Sequence, residues 1–197
     1  MRYQRKGFIV ATVALACCMT YSATKVVGQV ATNVQLTPEQ KRLVKAFNEQ
    51  VKTYLKQRNE VKGKLPELSK DSTPEQIHVY QVSFADAVRV VRANAKQGLI
   101  FDRATADYIR GLIKEGFKGT DRAELRKTIL EADTSGVPLR VNYPYPETKE
   151  LTQIPPPLLL QLPQLPKEVK YRFVGRHMLL VDTDNGLIVD YMLNALP

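Results

Sequence analysis

The chain has 197 residues, a length that fits one globular domain. Of these residues 44% are apolar and 25% are charged, a composition that is typical of a folded protein and argues against a wholly disordered chain. Its formal net charge of +9 is concentrated in residues 1–64, whereas residues 65–197 carry equal numbers of acidic and basic side chains. A nucleic-acid-binding protein needs a broad basic surface, so this distribution excludes nucleic acid as an expected partner.

The first element in chain order is a secretory leader. Met1–Gly7 contains three basic residues, and Phe8–Met19 is an uncharged, mainly apolar run that is too short to cross a bilayer as a helix. We therefore predict a signal peptide over residues 1–22, with its cleavage site undefined, and a linker over residues 23–36. The mature protein is expected outside the cytoplasm, in the periplasm or secreted.

Cys17 and Cys18, the two cysteines of the chain, both lie in this leader. Disulfides, thiol catalysis and thiolate-bound metals are therefore not expected in the folded body. Residues 14–18 resemble a degenerate lipoprotein processing box, so lipidation of either cysteine is one alternative and an uncleaved anchor is another. Membrane contact is expected only through the leader or such a lipid anchor.

Two long helices are predicted next. Thr37-Pro38-Glu39-Gln40 is a strong helix start, because the threonine hydroxyl caps a free amide, proline suits the first turn and glutamine reaches back. The same four residues recur at Thr73-Pro74-Glu75-Gln76. The first helix is expected to end near Gly63 and the second near Gly98.

Two further helices complete a predicted helical body over residues 37–135. Asp102 is the expected cap of the third helix and Thr120 that of the fourth, which stops before Gly136. Apolar residues recur at helical spacing in all four segments, which predicts an inward-facing stripe on each. The predicted inward residues are Leu43, Val44, Phe47, Val51, Tyr54, Leu55 and Val61; Ile77, Tyr80, Phe84, Ala87, Val88, Val91 and Ala95; Tyr108, Ile109, Leu112 and Ile113; and Leu125, Ile129 and Leu130.

Prolines mark a change of character after the helices. Eight of the twelve prolines lie between Pro138 and Pro166. Because proline fixes φ and has no amide donor, residues 136–170 are predicted to form neither helix nor central strand. The leucines among these prolines favour an extended strap packed on the helices, and the P-x-x-P spacing within Gln161–Pro166 is interpreted as part of it.

Residues 171–193 predict a three-stranded antiparallel meander, with turns at Gly175 and at Asn185-Gly186. So small a sheet has to pack on the strap or on the helices. The predicted fold class is α+β: a small bundle of about four helices, a proline-rich extended strap and a C-terminal β-meander, in a single domain over residues 37–197.

Three segments resemble an uncharacterised family of secreted bacterial proteins. They are Ala95–Phe101, Leu139–Pro146 and the C-terminal region from the Pro-Pro-Pro-Leu-Leu-Leu run to Tyr171–Arg176. The resemblance covers most of the chain after the leader. It implies secretion and this order of helical body, strap and hairpin, but no assigned activity or site residues.

No residue set predicts an active site. Asp182–Gly186 alternates acidic residues like a calcium loop, but its glycine comes one residue early and the expected glutamate is a leucine, which favours a polar hairpin turn. His78 and His177 lie on separate elements, so metal binding is not predicted. Glu124 and Glu131 are a carboxylate pair of the kind that glycan hydrolysis uses, although such acids are more often solvated. No cofactor is expected.

Lysines provide the one candidate surface. Lys41, Lys45, Lys52 and Lys56 share a face of the first helix, roughly opposite its apolar stripe, and are candidates for contact with anionic envelope polymers or acidic partners. Ordinary pairing with nearby glutamates is the alternative.

We expect a non-enzymatic module that binds or scaffolds an envelope component. An envelope-polymer hydrolase with paired carboxylates and a lipid-anchored structural lipoprotein are the alternatives.

Overall fold

A computed structural model describes residues 36–118, 122–146, 148–149, 152–154 and 156–196. The predicted signal peptide, Cys17, Cys18, the linker up to Gln35 and the Thr120 cap lie outside these residues. The described part has the α+β fold predicted from the sequence, with helices first and an antiparallel sheet at the C-terminus. No helix within this part is long and apolar enough to span a membrane.

The two long helices begin where the sequence predicts. α1 spans Pro38–Lys62 and α2 spans Pro74–Val91. Each begins with a complete capping box, in which the threonine hydroxyl accepts from the glutamine backbone and the glutamine side chain accepts from the threonine backbone.

The predicted end of the second helix near Gly98 is wrong, because α2 stops at Val91. The following turns direct the backbone N–H groups of Gly98, Ile100 and Phe101 to the carboxylate of Asp190. Gly98, seven residues beyond the end of α2, has a positive φ of 82°, a conformation that glycine adopts readily. Ile77 and Val91, predicted to point inward, are 39% and 51% exposed because this helix turns a narrower face to the core.

α3 spans Arg103–Gly116 and α4 spans Arg122–Glu131. The side chain of Asp102 accepts from the Thr105 backbone at 2.8 Å, which confirms the predicted cap. Ile109 and Ile113 are fully buried, as is Ile129 on α4. Leu130, predicted to point inward, is 41% exposed because it lies about 100° round the helix from the buried Ile129, outside the buried face.

The strap is less extended than predicted. It contains a short strand, β1 at Thr152–Gln153, and one helical turn, α5 at Pro156–Leu159. The prediction of no helix here is wrong because prolines are tolerated in the first turn of a helix, where their missing N–H has no intrahelical acceptor. β1 is an edge strand, as expected for a proline-rich segment.

The meander consists of β2 at Val169–Val174, β3 at His177–Asp182 and β4 at Ile188–Met192. All neighbours are antiparallel and the sheet order is β1-β2-β3-β4. The second hairpin has a loop longer than two residues, since Asp182 N–H donates to the Leu187 carbonyl and Gly186 N–H donates back to Asp182. Of the Asn185-Gly186 pair, the glycine alone has a positive φ.

The sheet is buried on both faces. The larger cluster joins the stripes of α1, α2 and α3 to strap leucines and to one face of the sheet, where the ring of Phe47 stacks on Tyr171 at 6.4 Å. A smaller cluster covers the other face with Val137 and Tyr145. β3 is therefore apolar at successive positions, as expected for a strand with two buried faces.

Candidate functional site

An ion pair connects the long helix to the sheet. Nε of Arg58 on α1 lies 2.6 Å from Oδ2 of Asp182 at the end of β3, and both side chains are buried. The hydroxyl of Tyr54 donates to the same oxygen at 2.5 Å. Burial and the Asp182 charge raise the pKa of Tyr54 far above its usual range. Tyr54 therefore stays neutral and donates its hydroxyl proton to Asp182. The cluster of Tyr54, Arg58 and Asp182 connects α1 to β3 and has a structural role.

The acidic turn Asp182–Gly186 is a hairpin loop stabilised by protein groups. Oδ1 of Asp182 accepts from the backbone N–H groups of Asp184 and Asn185, while Asp184 is bound by Arg58 and, at 2.7 Å, by Lys62. Burial opposes ionisation of Asp184, but hydrogen bonds from Lys62 and Arg58 prevail and lower its pKa. The described residues contain no group of three potential metal ligands.

A second buried carboxylate, Asp190 on β4, organises the segment after α2. Its two oxygens accept from the backbone N–H groups of Gly98, Ile100, Phe101 and Tyr191 at 2.7–2.9 Å. Burial raises the pKa of Asp190, although these four donors act in the opposite direction. The carboxylate is fully enclosed and its acceptor capacity is used within the fold.

Arg92 and Asn142 form a third buried polar contact. Nε of Arg92 donates to Oδ1 of Asn142 at 2.9 Å, and the asparagine amide donates back to the Arg92 carbonyl at 2.7 Å. The guanidinium also lies 4.7 Å from the ring centre of Tyr54, a cation–π distance. Burial lowers the pKa of Arg92, against the charge of Asp190. This contact fixes the segment that covers the sheet.

The structure does not bring the histidines into a common site. His78 is exposed on α2, whereas His177 begins β3 and its Nδ1 accepts from the Asn194 backbone at 3.1 Å. Glu131 is exposed and lies 3.6 Å from Lys127, as expected for a solvated helix pair. The Glu124 side chain lies outside the described residues.

All four predicted lysines are exposed on α1. Lys41, Lys45 and Lys52 line a cavity of about 520 Å³ between α1 and the strap, together with Val44 and Leu55. Lys56 does not line it. Three of the four predicted lysines therefore border a groove that is also lined by apolar side chains of α1. Glu49, the acidic residue among the described lining of this cavity, is bound to Lys52 at 3.0 Å.

A second cavity, of about 550 Å³, lies on the other side of the strap, between α5 and β2. The two cavities share Gln164 and Pro166 and so adjoin each other. We call them together the strap groove. The second cavity is lined by leucines of the strap and by three basic side chains of the β2 region, Lys167, Lys170 and Arg172.

The first half of β2 lacks a β1 partner along this second cavity, but its edge is buried: Val169 and Tyr171 are each 2% exposed, Val169 N–H donates to the Pro166 carbonyl and the Tyr171 carbonyl accepts from Arg172. β3 pairs with all of Val169–Val174, but β1 pairs only with Arg172 and Phe173. In the part of the chain that the structure describes, Val169–Tyr171 therefore has a strand neighbour on one side only. The chain after β1 enters a proline run, which has no N–H groups to extend the ladder.

Sequence reasoning missed the buried polar residues, although the sequence carries a signal for them. Arg58 falls in the same helical stripe as Tyr54 and Val61, where a charged residue predicts a buried partner. Asp190 interrupts an apolar strand in the same manner. The strap groove has no such signal, because its walls come from α1 and from the strap and β2, which follow more than a hundred residues later.

Searches of protein-family models, of curated proteins and of solved structures find no match to this chain. The resemblance to a family of secreted proteins stays a prediction, and the candidate function depends on the site itself.

Proposed function

We propose that this protein is an exported, non-enzymatic module that binds a component of the cell envelope through the strap groove. The observation that carries the proposal is the groove: two adjoining cavities with apolar floors and basic rims, open to solvent on the side of the strap. Apolar grooves with a few convergent charged groups are the usual form of a binding site.

The distribution of carboxylates supports binding over catalysis. The buried acids of the described residues, Asp182 and Asp190, are occupied by protein donors and lie away from the groove. Glu49 is the acid among the described lining residues, and it is paired with Lys52. A glycosidase needs two carboxylates facing one substrate bond, which this lining does not supply.

The predicted leader supports an extracytoplasmic location. A basic start followed by a short apolar run is the pattern of a cleavable signal peptide. Fractionation of cells that express the full chain tests this part: the processed protein is expected in the periplasm, the medium or, if a cysteine is lipidated, the membrane. Recovery of the intact chain in the cytosol would contradict export.

Site-specific photo-crosslinking in living cells tests the groove. A photoreactive residue replaces Val44, inside the groove, or Val79, which is 58% exposed on α2 and lines neither cavity. We expect a discrete adduct from position 44 and none from position 79. Substitution of Lys41, Lys45 and Lys52 by glutamine is expected to abolish the adduct, because these side chains form its rim.

The matched control replaces three exposed lysines that line neither cavity, Lys56, Lys64 and Lys114, with glutamine. It removes the same charge from the protein and is expected to leave the adduct intact. Equal adducts from both photoreactive positions, or equal loss in both triple variants, would contradict binding at the strap groove.

A further inference from the structure

We propose that a second surface of this protein binds a phosphate group, free or as a phosphomonoester, through Arg89, Lys96 and Arg140. These side chains line a cavity of about 420 Å³ between the end of α2, the segment after it, the turn at residues 140–143 and β4. We call it the basic cavity. It shares no described lining residue with the strap groove, so the inference goes beyond the proposed function and does not depend on it.

The charge of the basic cavity has one sign. Its three ionised side chains are basic, and its described lining contains no acid. Lys96 and Arg140 are exposed and form no salt bridge with any described residue. Arg89 is paired with Asp86 at 2.9 Å, but these side chains are 43% and 59% exposed, so the pair is weak. Like charges around one cavity repel each other, and a bound anion offsets that repulsion.

The backbone that carries Lys96 is fixed at both ends. On one side the Ala95 N–H donates to the Arg92 carbonyl at 2.9 Å, and on the other the Gly98 N–H donates to Asp190 at 2.9 Å. Asp190 is fully buried, and its donors among the described residues are backbone N–H groups. The carboxylate therefore positions this segment and leaves the Lys96 ammonium free to bind a ligand.

The opposite wall is held by Asn142, whose φ of 62° is unusual for a residue other than glycine. Its side chain is bound to Arg92, its N–H donates to the Ile188 carbonyl at 2.8 Å, and its carbonyl accepts from Nε of Arg89 at 3.1 Å. Backbone strain that surrounding contacts maintain is typical of functional sites. Here it places the turn at residues 140–143 against the Arg89 side chain.

The guanidinium of Arg140 is held in place for an anion. It lies 4.6 Å from the ring centre of Tyr143, and its Nη1 donates to the Tyr143 hydroxyl at 3.2 Å. Within the described chain, Nε and Nη2 of Arg140 have no hydrogen-bond partner. Two such N–H groups on a planar guanidinium match two oxygens of one phosphate or carboxylate.

The number of cations favours phosphate over carboxylate. A phosphomonoester carries a charge of about −1.5 to −2 at pH 7 and offers three strong acceptor oxygens, one for each of Arg89, Lys96 and Arg140. A carboxylate has a single charge and two oxygens, which one arginine satisfies. The ion, a small phosphorylated molecule and a phospholipid headgroup all present this group, so the experiment has to separate these sources.

The test is isothermal titration calorimetry of the purified protein with inorganic phosphate, glycerol 3-phosphate and acetate at equal ionic strength. We expect saturable binding of the two phosphates and at least about tenfold weaker binding of acetate, because a monoanion leaves cations of the cavity unpaired. Sedimentation with vesicles of phosphatidic acid and phosphatidylcholine is the third arm. Vesicle binding without binding of the soluble phosphates, if it requires the basic cavity, identifies a lipid as the source.

Substitutions locate the site. Lys96→Gln with Arg140→Gln is expected to weaken phosphate binding by at least about tenfold, since it removes two of the three cations. Arg103→Gln with Lys114→Gln removes the same residue types outside the described cavities and is expected to leave binding unchanged. Circular dichroism verifies that both variants are folded, and all four side chains are exposed.

The inference is overturned if no phosphate probe binds, if acetate binds as tightly as phosphate, or if the two glutamine pairs have equal effects. Substitution of Lys41, Lys45 and Lys52 by glutamine separates it from the proposed function, because that variant is expected to keep full phosphate binding while it loses the crosslink from position 44. Loss of phosphate binding in the triple variant would place the anion at the strap groove and reject the basic cavity. A groove-dependent crosslink without any phosphate binding would reject the basic cavity and leave the strap groove in place.

Discussion

Arg58 and Asp182 form an ion pair that is almost fully excluded from solvent, with side chains that are 2% and 0% exposed and a separation of 2.6 Å between Nε and Oδ2. The pair connects the C-terminal part of α1 to the end of β3, across 124 residues of sequence. The same guanidinium lies 5.1 Å from the ring centre of Phe84 on α2. One side chain of α1 therefore contacts both the sheet and α2.

Removal of this guanidinium is expected to be severely destabilising. Arg58→Met keeps the apolar stem but leaves the Asp182 carboxylate buried without its cation, which typically costs about 3–5 kcal/mol. Burial disfavours the charged form of Arg58, but hydrogen bonds to Asp182 and the charge of Asp182 favour it and raise the pKa of Arg58. The guanidinium therefore stays a cation in the folded protein. Urea denaturation measures the change in free energy of unfolding.

Lys62→Met is the matched control, because Lys62 binds Asp184 at 2.7 Å with its side chain 44% exposed. An exposed pair of this kind contributes less than about 1 kcal/mol. Equal loss of stability in Arg58→Met and Lys62→Met would show that the buried pair has no special role.

Asp190→Asn tests the carboxylate that fixes the segment after α2. Two of the four backbone N–H donors around Asp190 would then face an amide that donates instead of accepting, and each lost acceptor costs about 1–3 kcal/mol. We expect a loss of about 2–4 kcal/mol in unfolding free energy. Hydrogen exchange should also become faster at one of the two donor pairs, Gly98 with Tyr191 or Ile100 with Phe101, and unchanged protection at all four would contradict the assignment.

His177 predicts a dependence of stability on pH. Burial, and then the charge of Arg176, lower its pKa below the usual value of about 6.5. The folded protein therefore binds fewer protons than the unfolded chain between the two values. The stabilising contribution is complete above about pH 6.5 and is lost as the pH falls through the folded pKa.

The check is the free energy of unfolding between about pH 7.5 and about pH 5. In the native chain we expect the free energy of unfolding to decrease as the pH is lowered, because protonation of Nδ1 of His177 removes the acceptor for the Asn194 N–H. His177→Gln, which leaves His78 in place, is expected to flatten this slope. An identical slope in the variant would refute the assignment.

Two glycines of α3 give opposite predictions for the same substitution. A Cβ at Gly111 meets no atom within 4 Å, so Gly111→Ala is expected to stabilise the protein by about 0.5–1 kcal/mol through helix propensity. A Cβ at Gly116 would lie 2.6 Å from Cδ1 of the buried Leu158 on α5, so Gly116→Ala is expected to destabilise it by about 1–3 kcal/mol.

Thermal unfolding of the two alanine variants measures this difference. Gly116→Ala combined with Leu158→Val, which shortens the opposing side chain, is expected to cost less than the sum of the two single changes. Stabilisation by Gly116→Ala alone would show that α5 does not approach α3 as closely as the structure places it.

The sequence alone determined the features that depend on neighbouring residues. The Thr37 and Thr73 capping boxes predicted both helix starts, because a cap and its amide lie three residues apart. The Phe47, Val51 and Tyr54 stripe and the closing meander followed from periodicity, and together they specified the α+β class.

The tertiary structure decided everything whose partner is distant in sequence. Asp190 binds backbone N–H groups some ninety residues earlier and fixes the segment that follows the end of α2 at Val91. The prolines of α5 form a helical turn where Leu158 packs against α3, a contact that local propensity does not contain. The lysines of α1 lie along a groove because the strap passes beside them. Local rules fix which face a residue occupies, whereas burial and pairing depend on which distant segment lies opposite.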